Sequence, residues 1–285
     1  MKTNYTIEPN LIDNDPDFKD DFFQRFQLRH ADEPLQLTDS ISKNYKFPTF
    51  YKDVTCAIAI FFCDYKAAQA IMPHPSMKPV KGTLGRAIVI FSCYEYKQVL
   101  NIKGYNEIAM TIPVMVGGGF SPPLLPLVMK NFKKTGYYVF SMPVTSQENQ
   151  LRGLKIWGLP KVTEEIDINI ENDICSTVAK DEQGETYFEL KVPTKGKIQH
   201  LDETGYLYSL KEGHLIRSQT NFQGKFHINK NFSPILKKNA GKDEGWLKLG
   251  HSQRGETLKK LKIESKPFQF RYCPNMNSCF DLPFH

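Results

Sequence analysis

The sequence lacks the cysteine and histidine spacings of a metal site or a disulfide framework. Its six cysteines include no CxxC pair, and its seven histidines form neither an HxH nor an HExxH motif. Cys56, Cys63 and Cys93 stand inside apolar runs, where a free cysteine behaves as a small hydrophobic residue. We therefore predict no metal site and a reduced, cytoplasmic protein.

The sequence also lacks long apolar segments and runs of like charge. Its longest apolar stretches are about ten residues, too short for a membrane-spanning helix, and its first residues lack the apolar core of a signal peptide. The net charge is +6, but only seven of the 37 basic residues are arginine. Dedicated recognition of phosphates or bases favours arginine, so we predict neither a nucleic-acid partner nor membrane binding.

The residues that are present are enough for a large core. The 285 residues are 40% hydrophobic and 12% aromatic, which excludes a disordered or fibrous protein. Strand patterns such as Thr55–Phe62 recur as far as residue 273 and include an alternating strand meander over 162–192. They are joined mostly by short turns and are not interrupted by a linker. This favours one mainly β (α+β) domain with an antiparallel sheet that closes or folds over itself to hide its edges.

A few helices accompany these strands. Residues 17–29 have the spacing of an amphipathic helix, and residues 122–134 have prolines at the start and Gly136 just past the end. A short helix capped by Thr145 or Ser146 is predicted to run through Leu151 and to end at Gly153. We divide the chain into an N-terminal helical arm, 1–40, and a barrel domain, 41–285.

The most informative segment is GLKIWGLPK, which begins at Gly153 and ends at Lys161. A Gly-Leu-Pro corner leads directly into a lysine at the start of an alternating strand, and Trp157 and its neighbours make the surroundings apolar. A lysine at such a corner is either a surface residue with a buried stem or a desolvated amine. Desolvation lowers the pKa of an amine and leaves it a neutral nucleophile near neutral pH.

Several motifs in this order resemble the acetoacetate decarboxylase family. The segment ending in Pro160-Lys161 resembles the family's GRExxxxPK motif, and the upstream Tyr105-Asn106-Glu107 resembles its YxE motif at close to the family's spacing. Weaker similarities complete the pattern over roughly residues 40–284: they are Ile112-Pro113-Val114, Asn44-Tyr45-Lys46-Phe47, the segment 64–75 and the segment 250–283.

The resemblance implies a closed, cone-like antiparallel β-barrel flanked by helices, with the pocket inside the barrel and homo-oligomeric assembly. It places the Schiff-base lysine on Lys161 and the pocket glutamate on Glu107. No cofactor is implied, since the imine of the lysine accepts the electrons. We assign contact with a small keto-acid substrate to four further residues: Tyr105, Ser92, Trp157 and Pro160.

The sequence departs from the family pattern at charged positions. Val162 stands where the family's decarboxylases have a second lysine, and Leu154 and Lys155 stand where the motif has arginine and glutamate. Ser92 falls where the family has a second pocket glutamate, and in the segment that corresponds to the family's arginine only Lys52 is basic. Such a lysine is activated either by desolvation or by a neighbouring cation. Because Val162 cannot supply the cation, desolvation is the one of these two effects that remains.

Three functions follow from these observations. The first is a carbon–carbon lyase that resembles acetoacetate decarboxylase and decarboxylates a small β-keto acid through a lysine Schiff base. The second is a Schiff-base aldolase or dehydratase that acts on a 2-oxo acid, which the changed charges favour. The third is a non-catalytic barrel that binds a small ligand.

Overall fold

The structure is a computed structural model that describes residues 7–117, 135–239 and 242–284. The helix predicted over 122–134 lies outside the described residues. In the described part of the chain the helices are α1 Tyr65–Ala70, α2 Gln147–Trp157, α3 Ser233–Leu236 and α4 Gln253–Lys259. The strands are β1 Arg29–His30, β2 Leu35–Thr38, β3 Ile41–Lys43, β4 Lys46–Phe47, β5 Thr49–Cys63, β6 Met77–Pro79, β7 Ala87–Tyr96, β8 Gln98–Val99, β9 Tyr105–Val116, β10 Thr135–Val144, β11 Lys161–Thr163, β12 Glu165–Glu171, β13 Ile174–Lys180, β14 Thr186–Pro193, β15 Lys197–Lys211, β16 His214–Lys230, β17 Leu247–Leu249 and β18 Gln269–Phe284.

Seven of the strands close into a barrel, which confirms the predicted fold class. The strand order is β10-β15-β16-β18-β5-β7-β9, and β9 pairs with β10 to complete the circuit. Six of these pairings are antiparallel, but β10 and β15 run parallel, with Tyr137 opposite Leu207. The barrel is therefore mixed where the sequence predicted an antiparallel one. Closure removes the exposed edges that a long open sheet would present.

The continuous apolar run of β5 follows from burial of both of its faces. Cys56, Ile58 and Ile60 line the cavity inside the barrel. Their neighbours Ala57 and Ala59 point outward, as successive strand residues must, and belong to a buried cluster outside the barrel. With no face left for water, the strand shows no alternation of polar and apolar residues.

A second, four-stranded antiparallel sheet covers that outer face. Its order is β12-β13-β14-β17, and its residues Cys175, Phe188 and Leu190 pack in the same cluster as the outward residues of β5, β7 and β9. The meander predicted over 162–192 is confirmed in β12, β13 and β14. The sheet thus buries the outer face of this part of the barrel wall.

The N-terminal segment packs on the barrel but does not form the predicted helix over 17–29. The structure has only the 3-10 turns Asp15–Asp17 and Phe23–Arg25 there. Phe23 lies against Phe50 of β5 with ring centroids 4.9 Å apart, in a buried aromatic cluster with other phenylalanines of the arm. An isolated helix of this length is marginal, so packing of the aromatic side chains decides the local structure. The division at residue 40 stays a prediction.

Helix α2 is longer than predicted. Ser146 caps it as expected, accepting a hydrogen bond from the Asn149 amide at 3.2 Å. The predicted end at Gly153 is wrong, since the helix continues to Trp157 and ends at Gly158, whose φ of +60° is left-handed. Among the described residues, no helix is long and apolar enough to cross a membrane.

Candidate active site

Lys161 is the first residue of β11, directly after the corner that ends α2. The strand β11 runs parallel to the end of β10, with Lys161 opposite Met142. Because successive strand residues alternate in direction, Val162 points away from the side to which Lys161 points. The lysine side chain is 5% exposed and its residue lines the cavity inside the barrel. The corner therefore delivers a lysine to the interior.

Two acceptors hold the Lys161 amine. Its Nζ lies 2.5 Å from Oε2 of Glu107, which is on β9 and buried, and it also donates to Oδ1 of Asn149 on α2. The two residues predicted to be catalytic are thus brought into direct contact across 54 positions of sequence. A neutral amine that donates to both acceptors keeps its lone pair for an electrophile.

The environment lowers the pKa of Lys161. Burial away from water is the largest cause, since it disfavours the charged ammonium. The attraction of Glu107 and the hydrogen bond from the amine to it act in the opposite direction, and the positive charge of Arg152 lowers the pKa further. Desolvation outweighs the ion pair, so the shift is in the direction a nucleophilic amine needs.

Arg152 is a fully buried cation on the same helix as Asn149. Its Nη2 donates to Oγ1 of Thr49 at 2.9 Å, and its guanidinium stacks over the ring of Tyr45 at 4.3 Å. Its Nε and Nη1 have no hydrogen-bond partner among the described residues. Val162, next to Lys161, is uncharged, but Arg152 supplies a positive charge that acts on Lys161 from the side of the helix.

Gly153 makes room for the lysine stem. A Cβ at this position would lie 2.8 Å from Cε and 2.9 Å from Cγ of Lys161, and closer still to Cδ. These separations are well below the 3.5–4.0 Å of carbon contacts. Glycine in the middle of a helix costs about 1 kcal/mol relative to alanine. The stem of Lys161 therefore crosses the helix at the one residue without a side chain.

A group of tyrosines surrounds Glu107. The Tyr96 hydroxyl donates to Oε1 of Glu107 at 3.2 Å, and the ring of Tyr96 contacts those of Tyr51, Tyr94 and Tyr105 at centroid distances of 4.6, 5.3 and 4.9 Å. Burial raises the pKa of Tyr96 well above its usual value, so its hydroxyl stays protonated as a donor. Both oxygens of the Glu107 carboxylate thus have a partner.

The cavity above the lysine has a volume of about 190 Å³ and mostly apolar walls. Ile58, Ile60 and Ile90 lie on neighbouring strands of the wall, and Phe222 of β16 also lines the cavity. The charged residues among the described lining are Glu107, Lys161 and Arg271. A space of this size fits a small organic acid.

The predicted substrate-binding residues separate into two groups. Ser92 lines the cavity, on the layer of inward side chains next to that of Glu107. Tyr105, Trp157 and Pro160 do not belong to its described lining. Trp157 is buried behind the site, where its indole donates to the Asp281 carbonyl at 2.8 Å. The Lys161 amine lies over the ring of Tyr105 at 5.7 Å, and substrate contact by these three residues stays a prediction.

Sequence reasoning missed Asn149 and Arg152. Asn149, Arg152 and Gly153 follow the i, i+3, i+4 spacing of one helix face. That face was not apparent because the helix was expected to end at Gly153. The other basic residues considered as substitutes lie elsewhere: Lys52 pairs with Asp20 and Lys155 donates to the Gln36 carbonyl.

Known structures share this architecture. The acetoacetate decarboxylase of Legionella pneumophila matches at 16% identity over 83% of this chain and 86% of its own, with a TM-score of 0.54. An acetoacetate decarboxylase-like enzyme from Sphingomonas wittichii matches at 12% over 88% and 95%, with a TM-score of 0.50. The enduracididine biosynthesis enzyme MppR, complexed with pyruvate, matches at 10% over 82% and 88%, with a TM-score of 0.53. At these identities the likeness establishes the fold alone.

The sequence itself carries the family assignment. It has no significant match among curated proteins. However, the family model described as "Acetoacetate decarboxylase (ADC)" matches residues 32–230, which include β5, β9, α2 and the Lys161 corner. This match covers more than half of the chain and contains both Lys161 and Glu107. The chain belongs to the acetoacetate decarboxylase family.

Proposed function

We propose that this protein is a lyase that decarboxylates a small β-keto acid through a Schiff base on Lys161. The observation that carries the proposal is the buried Lys161 amine, in contact with Glu107 at 2.5 Å, in a small apolar cavity inside the barrel. Burial and Arg152 both lower the pKa of this amine. Family membership supports enzymatic activity of the lyase type.

The first stage is formation of the iminium. Glu107 accepts the proton of the Lys161 ammonium, and the neutral amine attacks the ketone carbon of the substrate. The protonated Glu107 gives its proton to the carbinolamine oxygen and takes one from the nitrogen. It then gives this second proton to the same oxygen, which leaves as water, so that the iminium forms and Glu107 is ionised again. Tyr96 and Asn149 hold the carboxylate and the amine in position during these transfers.

The second stage is loss of carbon dioxide. The bond between the carboxylate carbon and the α-carbon breaks, and its electron pair moves into the iminium to give a neutral enamine. The apolar wall favours this step because charge is neutralised as the carboxylate leaves. Protonation of the enamine carbon restores the iminium, and hydrolysis by water releases the ketone and the free amine.

A related reaction on a 2-oxo acid is the second candidate. Ser92 lines the cavity where the resemblance places a second glutamate, so the groups that handle the substrate carboxylate differ from the family pattern. MppR, which shares the fold, is described in complex with pyruvate. A Schiff base at Lys161 followed by aldol condensation or dehydration would use the same amine without releasing carbon dioxide.

Borohydride trapping tests the proposal. The protein is incubated with acetoacetate and sodium borohydride, and the Lys161 peptide is analysed by mass spectrometry while carbon dioxide is measured. We expect an adduct on Lys161 and release of carbon dioxide, neither of which occurs with K161M. An adduct with 2-oxo acids but no carbon dioxide from any β-keto acid supports the second candidate.

Two further measurements separate catalysis from simple binding. E107Q should slow adduct formation about 10²- to 10⁴-fold, as expected for loss of a general acid–base. A Lys161 pKa at the ordinary value, measured by pH-dependent acylation, together with no adduct, would favour a non-catalytic binding barrel. Homo-oligomeric assembly and a cytoplasmic location remain proposals, and light scattering after size-exclusion chromatography tests the first.

A further inference from the structure

Arg271 is a charged group of the cavity that the proposed chemistry does not use. It lies on β18, after the segment that the family model matches, and its residue lines the cavity. Its Nη2 donates to the neutral Oε1 of Gln269 at 3.1 Å, and its Nε is buried without a hydrogen-bond partner among the described residues. No described carboxylate forms an ion pair with it.

This arginine gives the cavity an uncompensated positive charge. Lys161 and Glu107 form a pair, so the third charged residue of the described lining has no counter-ion there. A buried N–H group without a partner is unfavourable until a ligand accepts a hydrogen bond from it. The guanidinium matches a planar carboxylate with two parallel hydrogen bonds.

Arg271 and Glu107 lie on strands three apart in the barrel wall and in neighbouring rows of the strand register. Arg271 is opposite Ile58, Ile58 is opposite Ser92, and Ser92 is opposite Ala109. Glu107 precedes Ala109 by two residues, which corresponds to about 7 Å along the strand. The space between the two positions is walled by isoleucines of β5 and β7.

The charge lost in the reaction decides which carboxylate Arg271 holds. A guanidinium on the carboxylate that is lost would stabilise the ground state relative to the transition state in which the charge disappears. A carboxylate at the other end of the substrate keeps its charge throughout, so holding it carries no such penalty.

We propose that Arg271 forms an anion subsite for a second carboxylate that does not react, so that the substrate is a β-keto dicarboxylic acid. The proposal rests on the Schiff-base function proposed above. With 3-oxoadipate as the probe, Lys161 attacks C3, the C1–C2 bond breaks with its electron pair moving into the enamine, and C1 leaves as carbon dioxide. Protonation at C2 and hydrolysis give 4-oxopentanoate, whose carboxylate has remained on Arg271 throughout.

A pair of substrates of equal carbon number tests the subsite. 3-Oxoadipate carries the distal carboxylate, and 3-oxohexanoate lacks it. We expect the wild type to have at least a tenfold higher kcat/KM for the diacid, and R271Q to lose about 10- to 100-fold on the diacid alone. R25Q, which removes an exposed arginine outside the described lining, is the matched control. An equal loss on both substrates, or an unchanged ratio, overturns the proposal.

Binding of unreactive acids separates this proposal from the Schiff-base function. Isothermal titration with adipate and with hexanoate, on wild type and R271Q, needs no chemistry at Lys161. We expect adipate to bind the wild type and to lose about tenfold or more in affinity in R271Q, with hexanoate unaffected. If no keto acid is trapped while adipate binding depends on Arg271, the subsite stands and the Schiff-base function falls. If keto acids are trapped but adipate binds both forms equally, the subsite falls.

Discussion

Replacing Gly153 by alanine should impair the Lys161 site without unfolding the protein. The new Cβ would lie 2.8 Å from Cε of Lys161, whereas carbon atoms pack at 3.5–4.0 Å, so the stem must move by about 1 Å. Lys161 is 5% exposed and its amine is held by Glu107 and Asn149, so the displacement carries Nζ away from both acceptors.

The structure gives the size of the effect. A misplacement of about 1 Å at a reacting group costs about 100-fold in rate, which corresponds to about 2.7 kcal/mol of barrier. The cost of overpacking, about 1–3 kcal/mol, is partly offset by the gain of about 1 kcal/mol when alanine replaces glycine inside a helix. The fold should therefore survive with a small loss of stability while the reactivity of Lys161 falls sharply.

Two assays on G153A test this reasoning. One is the rate of borohydride trapping of a keto acid on Lys161, and the other is the pH dependence of its acylation, which requires no substrate. L154A is the matched control, because Leu154 is the next helix residue and is 40% exposed. Trapping and acylation of G153A at the wild-type rate, with circular dichroism unchanged, would show that Gly153 has no role in placing the amine.

Three further predictions concern charge and stability. R152M should raise the pKa of Lys161 and move the acid limb of its acylation profile to higher pH, because the Arg152 cation disfavours the ammonium form. T49V removes the hydrogen-bond partner of Arg152 but keeps the charge, so the limb should stay in place. An unchanged acid limb in R152M would contradict the role given to Arg152. Since the pKa of Lys161 is lowered on folding, the folded chain binds fewer protons than the unfolded chain between the lowered and the ordinary value. The free energy of unfolding, measured in urea, should rise with pH over that window in the wild type, and an equal rise in K161M would refute this. F23A should lower the free energy of unfolding by about 3–5 kcal/mol, because Phe23 is fully buried against the barrel. F232A is the control and should change the free energy of unfolding little, because Phe232 is 65% exposed. Equal losses in the two variants would refute the packing of the arm.

The closed barrel shows where pattern reasoning about strands reaches its limit. The apolar run of β5 and the alternation of β12 to β14 are local signals, and the structure confirms both. β15 has no such signal, since Lys197–Lys211 is largely polar and its first residues are exposed. Yet its parallel pairing with β10 is one of the pairings that the closed barrel needs. A parallel neighbour remote in sequence leaves no periodicity for a local pattern to detect.

The arm shows the converse limit. Its aromatic residues have a helical spacing, and that spacing predicted a helix over 17–29. The phenylalanines instead gather around Phe50 with only a 3-10 turn between them. Propensity is a weak preference, and the burial of several aromatic rings overrides it.

The sequence by itself determined the residue types that the proposed chemistry uses. A lysine after a proline corner and an upstream glutamate are local features, and each is visible without knowing what lies opposite. Lys161 and Glu107 could therefore be paired by resemblance before their contact at 2.5 Å was known.

Only the tertiary structure decided what surrounds that pair. Asn149, Arg152 and Gly153 reach Lys161 because α2 continues past Gly153, and Arg271 enters the cavity because β18 lies beside β5 in the closed barrel. The lowering of the Lys161 pKa likewise comes mainly from burial, which only the folded chain provides. The sequence shows few arginines and no cluster of them, but it does not show that Arg271 is the arginine that lines the cavity. The role proposed for Arg271 depends on its having no carboxylate partner among the described residues, and only the tertiary structure shows this.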